Sequence, residues 1–187
     1  MERNLIFAWI LILSSATVQT CCHGYYSDSV PYVPSPKKVT HLHFFLHDTL
    51  TGENPSAVLV ARPNITIFPD NAFMPFGTVL AVDDPLTVGP DITSEVIGNA
   101  QGLSVLASQH ALSLVVYLDF GFTRGEFNGS SFSVFSRNTI TVANRELTVV
   151  GGRGKFRLAK GFAELKTYSR SEGGNAVVEY NVTLFHH

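Results

Sequence analysis

The stretch His41-Leu-His-Phe-Phe-Leu-His-Asp-Thr-Leu-Thr-Gly52 decides the fold class of this chain. It is rich in apolar and aromatic residues, stops at Thr-Gly and has the length of one β-strand. Alternate side chains of a strand share a face. One face then carries a mixture of aromatic and polar groups, namely His41, His43, Phe45 and His47. The other carries three apolar residues followed by a carboxylate, namely Leu42, Phe44, Leu46 and Asp48.

The carboxylate at the end of the apolar row leaves two interpretations open. Burying a lone carboxylate is costly unless it is paired, hydrogen-bonded or protonated. Asp48 either caps the strand and lies in the following turn, or it is an acid at the mouth of a cavity inside a barrel. The rest of the chain has to decide between them.

The composition is that of a single globular β-domain. Of 187 residues, 45% are hydrophobic and 15% are charged, and the net charge is −2. This chain is long enough for a sizeable core. A near-neutral balance without a basic stripe argues against nucleic acid and against acidic membrane surfaces as partners. The 14 Phe and 15 Gly residues favour strands and turns.

The N-terminal residues have the layout of a targeting segment. Arg3 is followed by an apolar run over 5–18 and by small or polar residues. This predicts a secretory signal peptide over 1–24, too short to span a membrane, and an extracellular protein. A proline-containing stretch over 25–38 predicts a disordered leader, and the folded domain is expected over 39–187.

The cysteine usage is unusual for a secreted chain, whereas the sequons fit secretion. The adjacent cysteines Cys21 and Cys22 lie in the cleavage region, so we expect no disulfide in the folded domain. Three Asn-X-Ser/Thr sequons, at Asn64, Asn128 and Asn181, are candidate glycosylation sites.

The remaining chain consists of short apolar segments separated by turn residues. We expect strands over 57–61, 65–68, 76–83, 101–108, 112–122, 130–137, 146–150, 156–168 and 176–185. Asp84-Pro85 is expected to end a strand, 88–99 to form a loop and 151–154 to form a turn. No long segment has a capped helical period. The pattern favours an all-β fold, an eight-stranded antiparallel closed barrel with a central ligand cavity.

The motifs that carry chemistry are few. The glycine-rich 151–154 segment lacks the Lys-Ser/Thr of a phosphate-binding loop, and the seven histidines lack a convergent ligand set, so we expect no cofactor and no metal. There is no nucleophile elbow. Acids remain: Asp48 and Asp83 are candidates for the barrel interior, with Arg145 beside them, whereas Asp84 is expected in a turn.

Five blocks, in order, resemble the plant dirigent family over about residue 39 to the C-terminus. They are Phe44-Phe-Leu-His-Asp, Phe76-Gly-Thr-Val-Leu-Ala-Val-Asp-Asp-Pro-Leu-Thr, Gly98-Asn-Ala-Gln-Gly, Asn128-Gly-Ser-Ser and Arg145-Glu-Leu-Thr-Val-Val-Gly-Gly-Arg-Gly-Lys-Phe-Arg-Leu-Ala-Lys-Gly. The resemblance implies an eight-stranded barrel that is secreted to the apoplast and self-associates as a dimer or trimer. It implies that Asp48, Asp83 and Arg145 are the catalytic groups, and that Phe44, Leu46 and Asn138 contact the substrate.

The family resemblance also implies a function. Phenoxy radicals, made by a separate laccase or peroxidase, bind in the barrel, and the protein steers their coupling. Coniferyl alcohol radicals give a bis-quinone methide that closes to a lignan. One departure is notable: Ser136-Arg137-Asn138 stands where lignan-forming members typically carry an Asp, and it looks more like the branch with pterocarpan-forming members.

Three functions follow as hypotheses. The first is a stereodirecting protein for radical coupling with no oxidative centre of its own. A hundredfold stereochemical preference needs only about 2.7 kcal/mol, which pocket shape alone can supply. The second is a cyclase or dehydratase that acts on an isoflavonoid-type alcohol through a quinone methide, where a buried acid accelerates closure. The third is a non-catalytic phenolic-binding defence protein.

Overall fold

Residues 41–48 of the stretch His41–Gly52 lie in the first strand of the domain, and residues 49–52 follow its end. The computed structural model describes residue 31 and residues 37–64, 67–69 and 72–187. The predicted signal peptide and most of the predicted leader therefore lie outside the described residues, as does part of the segment predicted as a strand over 65–68. The residues from 37 onward belong to one compact unit, residues 35–187.

Nine antiparallel strands are present among the described residues. They are β1 (Lys38–Asp48), β2 (Ala57–Ala61), β3 (Val79–Thr87), β4 (Val96–Leu106), β5 (Ser113–Phe122), β6 (Ser131–Thr139), β7 (Asn144–Arg153), β8 (Lys160–Arg170) and β9 (Ala176–His186). The sheet order is β1-β9-β8-β7-β6-β5-β4-β3-β2, and β1 also pairs with β3. This extra pairing closes eight strands into a ring, with β2 outside it, so the predicted eight-stranded antiparallel barrel is confirmed.

The strand β3 runs through Pro85, where the sequence predicted its end. The Asp83 N–H donates to the Ser56 carbonyl, 2.8 Å away, and the Pro85 nitrogen faces the same edge because alternate residues point their N–H groups to the same side. On that edge, pairing with β2 reaches Val82 and pairing with β1 starts at Leu86. Pro85 lies where the neighbour changes, so its missing donor costs no ladder hydrogen bond.

Two other boundaries differ from the sequence prediction. Strand β4 begins at Val96, inside the predicted loop 88–99, and β7 continues through Gly151 and Gly152 to Arg153. A Cβ atom at Gly152 would lie 2.8 Å from the Ser131 carbonyl oxygen and 2.5 Å from that of Phe156. The glycine therefore permits a close backbone approach within the sheet rather than a turn, and the turn follows at Gly154–Phe156.

Aromatic side chains fill one end of the barrel. Five buried phenylalanines, here called the aromatic plug, are Phe44, Phe120, Phe122, Phe132 and Phe156. Their rings contact one another, with Phe120 and Phe132 stacked at 4.8 Å between centroids. The plug occupies the end at which β5 finishes and β6 begins. Any internal space therefore lies toward the opposite end, where β1 finishes and β9 begins.

No helix among the described residues has the length and apolar character that crossing a membrane would require.

Candidate active site in the barrel cavity

A cavity of about 110 Å³ lies above the aromatic plug, inside the ring of strands. Its wall is largely aliphatic and includes Leu46, Leu80, Val82, Leu106, Leu114, Val116, Leu118 and Val178. Polar side chains interrupt this wall at several points, namely Asp48, Thr78, Asp84, Ser104, Asn138, Arg145, Thr167, Arg170 and Tyr180. An apolar pocket with a few convergent polar groups is the usual form of a small-molecule site.

Asp48 is one of the two acids of the cavity. It is the last residue of β1, paired with Ala176 of β9, and it follows the inward row of Leu42, Phe44 and Leu46. Burial raises the pKa of Asp48 to about 6, and the nearby Arg170 opposes this rise. The structure therefore agrees with the second interpretation of Asp48: the residue lines the cavity and does not lie in the following turn.

Asp84 is the second acid of the cavity, although the sequence predicts it in a turn. It lies on β3, only 3% exposed, and the Ser56 hydroxyl donates to its Oδ1 at 2.6 Å. Burial, followed by the charge of Asp48, raises the pKa of Asp84 to about 8, whereas the Ser56 hydrogen bond lowers it. Asp84 therefore carries its proton at neutral pH.

The prediction that Asp83 is a cavity acid is wrong by one residue. Asp83 is exposed on the outer face, where its carboxylate accepts hydrogen bonds from Asn99 and Gln101 at 2.5 and 3.1 Å. Because β3 continues through Pro85, Asp84 shares its face with Val82 and Leu86. The signal was in the sequence: the apolar row Leu80, Val82 and Leu86 skips Asp83 and includes position 84.

Arg145 lies in the cavity, as the resemblance implied. It is buried at the start of β7, and its Nη2 donates to the Thr167 hydroxyl at 2.8 Å. Burial lowers the pKa of Arg145, Tyr180 opposes this and Arg170 adds to it. An arginine remains charged under such a shift, so Arg145 is a buried cation in an apolar wall.

The three predicted substrate contacts divide between two places. Leu46 and Asn138 line the cavity. Phe44 does not, because its ring belongs to the aromatic plug and stacks against Tyr180 with 5.4 Å between centroids. The prediction of Phe44 as a lining residue is therefore corrected: it supports the floor that Tyr180 forms.

Sequence reasoning missed Tyr180. It lies on β9 between the inward residues Val178 and Val182, and its phenol is buried in the cavity. Burial is the largest cause of a raised pKa for Tyr180, so its hydroxyl keeps its proton and can donate a hydrogen bond. Alternation along β9 predicts an inward ring at this position, but a tyrosine in a strand is usually core.

Three buried side-chain atoms of the described residues have no hydrogen-bond partner, and all three belong to cavity residues. They are Asp48 Oδ1, Asn138 Oδ1 and Arg145 Nε. Buried polar atoms are rarely left unpaired in folded proteins. The cavity therefore offers acceptors and a donor to a guest that carries hydroxyl groups.

Other predicted residues lie on the surface. Asn64, Asn128 and Asn181 are all exposed, which leaves their glycosylation a prediction. Among the described residues, no group of three or more His, Cys, Asp or Glu side chains could hold a metal ion.

The barrel and its cavity define a class: an antiparallel barrel protein with an internal cavity lined by two carboxyl groups, two guanidinium groups and a phenol. Residues 39–185 match the family model described as Dirigent-like protein. The chain belongs to the dirigent family.

Individual relatives agree with this membership. Dirigent protein 15 of Arabidopsis thaliana is 43% identical and pterocarpan synthase 1 of Glycyrrhiza echinata is 41% identical, each with all of both chains covered. The solved structure of the pterocarpan synthase dirigent protein GePTS1 superposes with a TM-score of 0.79 at 44% identity, covering 87% of this chain and 99% of that chain.

Proposed function

We propose that this protein is a cyclase of the dirigent family that removes water from a phenolic isoflavonoid-type alcohol and closes a ring through a quinone methide. The observation that carries the proposal is the pair of cavity carboxyls, because Asp84 has a pKa raised to about 8 and Asp48 one raised to about 6. Near neutral pH one of them is an acid and the other a carboxylate. Similarity to proteins named pterocarpan synthase supports the same reaction.

In the proposed reaction, the first step makes the quinone methide. Asp84 gives its proton to the leaving hydroxyl, the carbon–oxygen bond breaks, and water departs. The Asp48 carboxylate takes the proton of the phenol conjugated with that carbon. Arg145 and Tyr180 stabilise the negative charge that develops on the phenol oxygen as its proton leaves, and then hydrogen-bond to the neutral carbonyl oxygen of the quinone methide, as preorganised donors do elsewhere.

The second step closes the ring and restores the acids. Another phenol hydroxyl of the same molecule adds to the methide carbon, and its proton goes to the Asp84 carboxylate. Asp48 returns its proton to the quinone-methide oxygen, which becomes a phenol again. The net change is the loss of one water, so no oxidant and no cofactor is consumed.

The size of the cavity supports a single guest. A volume of about 110 Å³ is small beside the roughly 300–1,000 Å³ of typical ligand pockets. Coupling requires two phenolic molecules in the cavity at once, whereas cyclisation requires one.

The second candidate is the stereodirected coupling of two phenoxy radicals supplied by an external laccase or peroxidase. The Tyr180 ring, stacked on Phe44, would give a planar radical a flat and rigid surface to lie on. A hundredfold preference for one product requires a difference in activation free energy of only about 2.7 kcal/mol. Membership of the dirigent family supports this candidate as well.

One experiment separates these functions. The purified protein is incubated with a racemic isoflavanol that carries a second phenol and, separately, with coniferyl alcohol plus a one-electron oxidant, and products are resolved by chiral chromatography. Cyclised product without oxidant supports the cyclase. An enantiomeric excess only in the oxidant arm supports coupling. If neither arm responds while a phenol raises the melting temperature, the protein is a binding protein.

We further propose that the chain acts outside the cell, in the apoplast, and carries glycans on the exposed Asn64, Asn128 and Asn181. Digestion of the plant-expressed protein with a peptide N-glycosidase, followed by mass measurement of the sequon peptides, tests the glycans.

A further inference from the structure

Two segments border the open end of the cavity: the chain that leaves β1 after Asp48, and the turn between β8 and β9. Leu50 of the first and Gly174 of the second both line the cavity. They lie close together, because a Cβ atom added at Gly174 would be 3.3 Å from Leu50 Cδ1 and 3.7 Å from Phe73 Cζ. The mouth is therefore narrow where these segments meet.

The side chain of Asn175 joins the two segments. Its Oδ1 accepts hydrogen bonds from the Leu50 N–H at 2.9 Å, the Thr51 N–H at 3.0 Å and the Thr51 hydroxyl at 3.1 Å. Its Nδ2 donates back to the Thr51 carbonyl at 3.2 Å. One amide therefore satisfies the backbone of two loop residues. We call Leu50, Thr51 and Asn175 the clasp.

The same segment is tied to the second acid on its other side. The Thr49 N–H donates to the Ser56 hydroxyl at 2.9 Å, and that hydroxyl contacts Asp84 at 2.6 Å. Asp48 precedes Thr49 directly and pairs with Ala176, the residue after Asn175. The chain that carries Asp48 thus runs between Ser56, which contacts Asp84, and Asn175, which belongs to the clasp.

We propose that Asn175 is a positioning residue for the carboxyl pair: through the clasp it holds Asp48 and Leu50 over the cavity and keeps water from the acids. The inference deepens the proposed function, since turnover is one of its readouts. The hydrogen bonds of the clasp and the water around Asp48 are measurable whether or not the proposed reaction occurs.

Burial, more than the charges around Asp48, decides in which direction its pKa moves when the clasp is lost. Arg170 of β8, Asp84 of β3 and Tyr180 of β9 interact with it electrostatically, and Arg145 of β7 interacts with Tyr180. Burial is the largest cause of the raised pKa of Asp48. If the clasp opens, water reaches this carboxyl, and the desolvation that holds its proton is reduced.

The test compares Asn175→Ala with Asn175→Asp and with Asn99→Ala. An Asp at 175 keeps the acceptor oxygens for the Leu50 and Thr51 amides but loses the bond to the Thr51 carbonyl. Asn99 hydrogen-bonds to Asp83 on the outer face, so Asn99→Ala is a matched loss of an amide away from the cavity. Three quantities are measured: amide hydrogen exchange at Leu50 and Thr51, the pKa of Asp48 from carboxyl NMR, and kcat with KM for the isoflavanol.

For Asn175→Ala we expect exchange at both amides to rise about tenfold or more, as loss of structural hydrogen bonds allows, and the pKa of Asp48 to fall toward its ordinary value. The kcat should fall more than KM changes. Asn175→Asp should restore part of the protection, and Asn99→Ala should change none of the three.

Unchanged exchange at Leu50 and Thr51, or a pKa of Asp48 that moves no further than in Asn99→Ala, would overturn the inference. If the wild-type protein does not turn over the isoflavanol, the proposed function is wrong, but the inference about Asn175 is still tested. Amide exchange at Leu50 and Thr51 and the pKa of Asp48 then decide whether the clasp positions this carboxyl.

Discussion

A single step along β3 separates an exposed acid from a buried one. Asp83 faces solvent and hydrogen-bonds to Asn99 and Gln101, whereas Asp84 faces the cavity with 3% of its surface exposed. The two residues are adjacent and chemically identical. Their environments alone give Asp84 a pKa of about 8, so any difference between their variants reports on the cavity.

We predict that Asp84→Asn lowers kcat for the cyclisation by about a hundredfold or more, the range that general acids contribute, because an amide cannot protonate the leaving hydroxyl. Asp83→Asn is the matched control and should stay within about twofold of the wild-type protein. Steady-state kinetics on both variants checks this. Equal losses would remove Asp84 from the chemistry.

The two cavity acids also predict a pH profile. The proposed reaction needs Asp48 ionised and Asp84 protonated, so kcat should rise as pH increases through about 6 and fall again through about 8. Ser56 donates to Asp84 and lowers its pKa. Ser56→Ala should therefore move the alkaline limb to higher pH while the acid limb stays. Rates measured from about pH 5 to 9 decide this, and a flat profile would contradict it.

At the scale of elements, the end of the barrel filled by the aromatic plug is the main packed core. Phe132 of β6 is fully buried and stacks on Phe120, whereas Phe185 of β9 is 45% exposed. We predict that Phe132→Ala destabilises the domain by about 3–5 kcal/mol, the cost of a large cavity in a core. Phe185→Ala should cost about 1 kcal/mol or less. Urea unfolding followed by far-UV circular dichroism measures the free energy of unfolding of both variants. Similar losses of stability in the two would show that the plug is loosely packed.

Strands whose apolar rows alternate cleanly could be predicted from the sequence, and those interrupted by Pro or Gly could not. The inward row of β1 and the bounds of β2 were predicted correctly. The ends of β3 and β7 were missed because Pro85 and Gly152 are usually breakers. Pro85 is tolerated at a change of neighbouring strand, and Gly152 allows a close backbone approach. Both reasons depend on pairing between distant strands.

The candidate site divides in the same way. Four residues were placed correctly in the cavity, because local alternation or the resemblance pointed to them: Leu46, Asp48, Asn138 and Arg145. Asp84 was not recognised as a cavity residue, because the sequence predicted that β3 ends at Asp83. The clasp was not predicted, because Leu50 and Asn175 meet only when β1 pairs with β9, which no local pattern reveals.

At the scale of the whole molecule, an apolar row crosses the outer face of three adjacent strands. Leu103, Tyr117 and Phe135 pair across β4, β5 and β6 and are 45%, 50% and 58% exposed. Exposed apolar patches often mark sites of association. We propose that this row contacts a second copy of the chain, in line with the dimer or trimer that the family resemblance implies.

We predict that the protein elutes as a dimer or trimer and that Phe135→Glu elutes as a single chain, because a charge in the row must be desolvated on association. Val39→Glu, at an exposed position of β1, is the control and should leave the assembly intact. Size-exclusion chromatography with light scattering gives the masses. A wild-type protein with the mass of one chain would remove this row from consideration.

The phenylalanines that seal one end of the barrel have a kinetic consequence. Because the aromatic plug fills that end, we expect the alcohol, the water and the product of the proposed reaction to pass through the opposite end of the barrel. The next molecule cannot bind until the previous product has left. Where release of the product through this end limits the rate, a rapid first turnover is followed by a slower steady rate, and the product inhibits competitively.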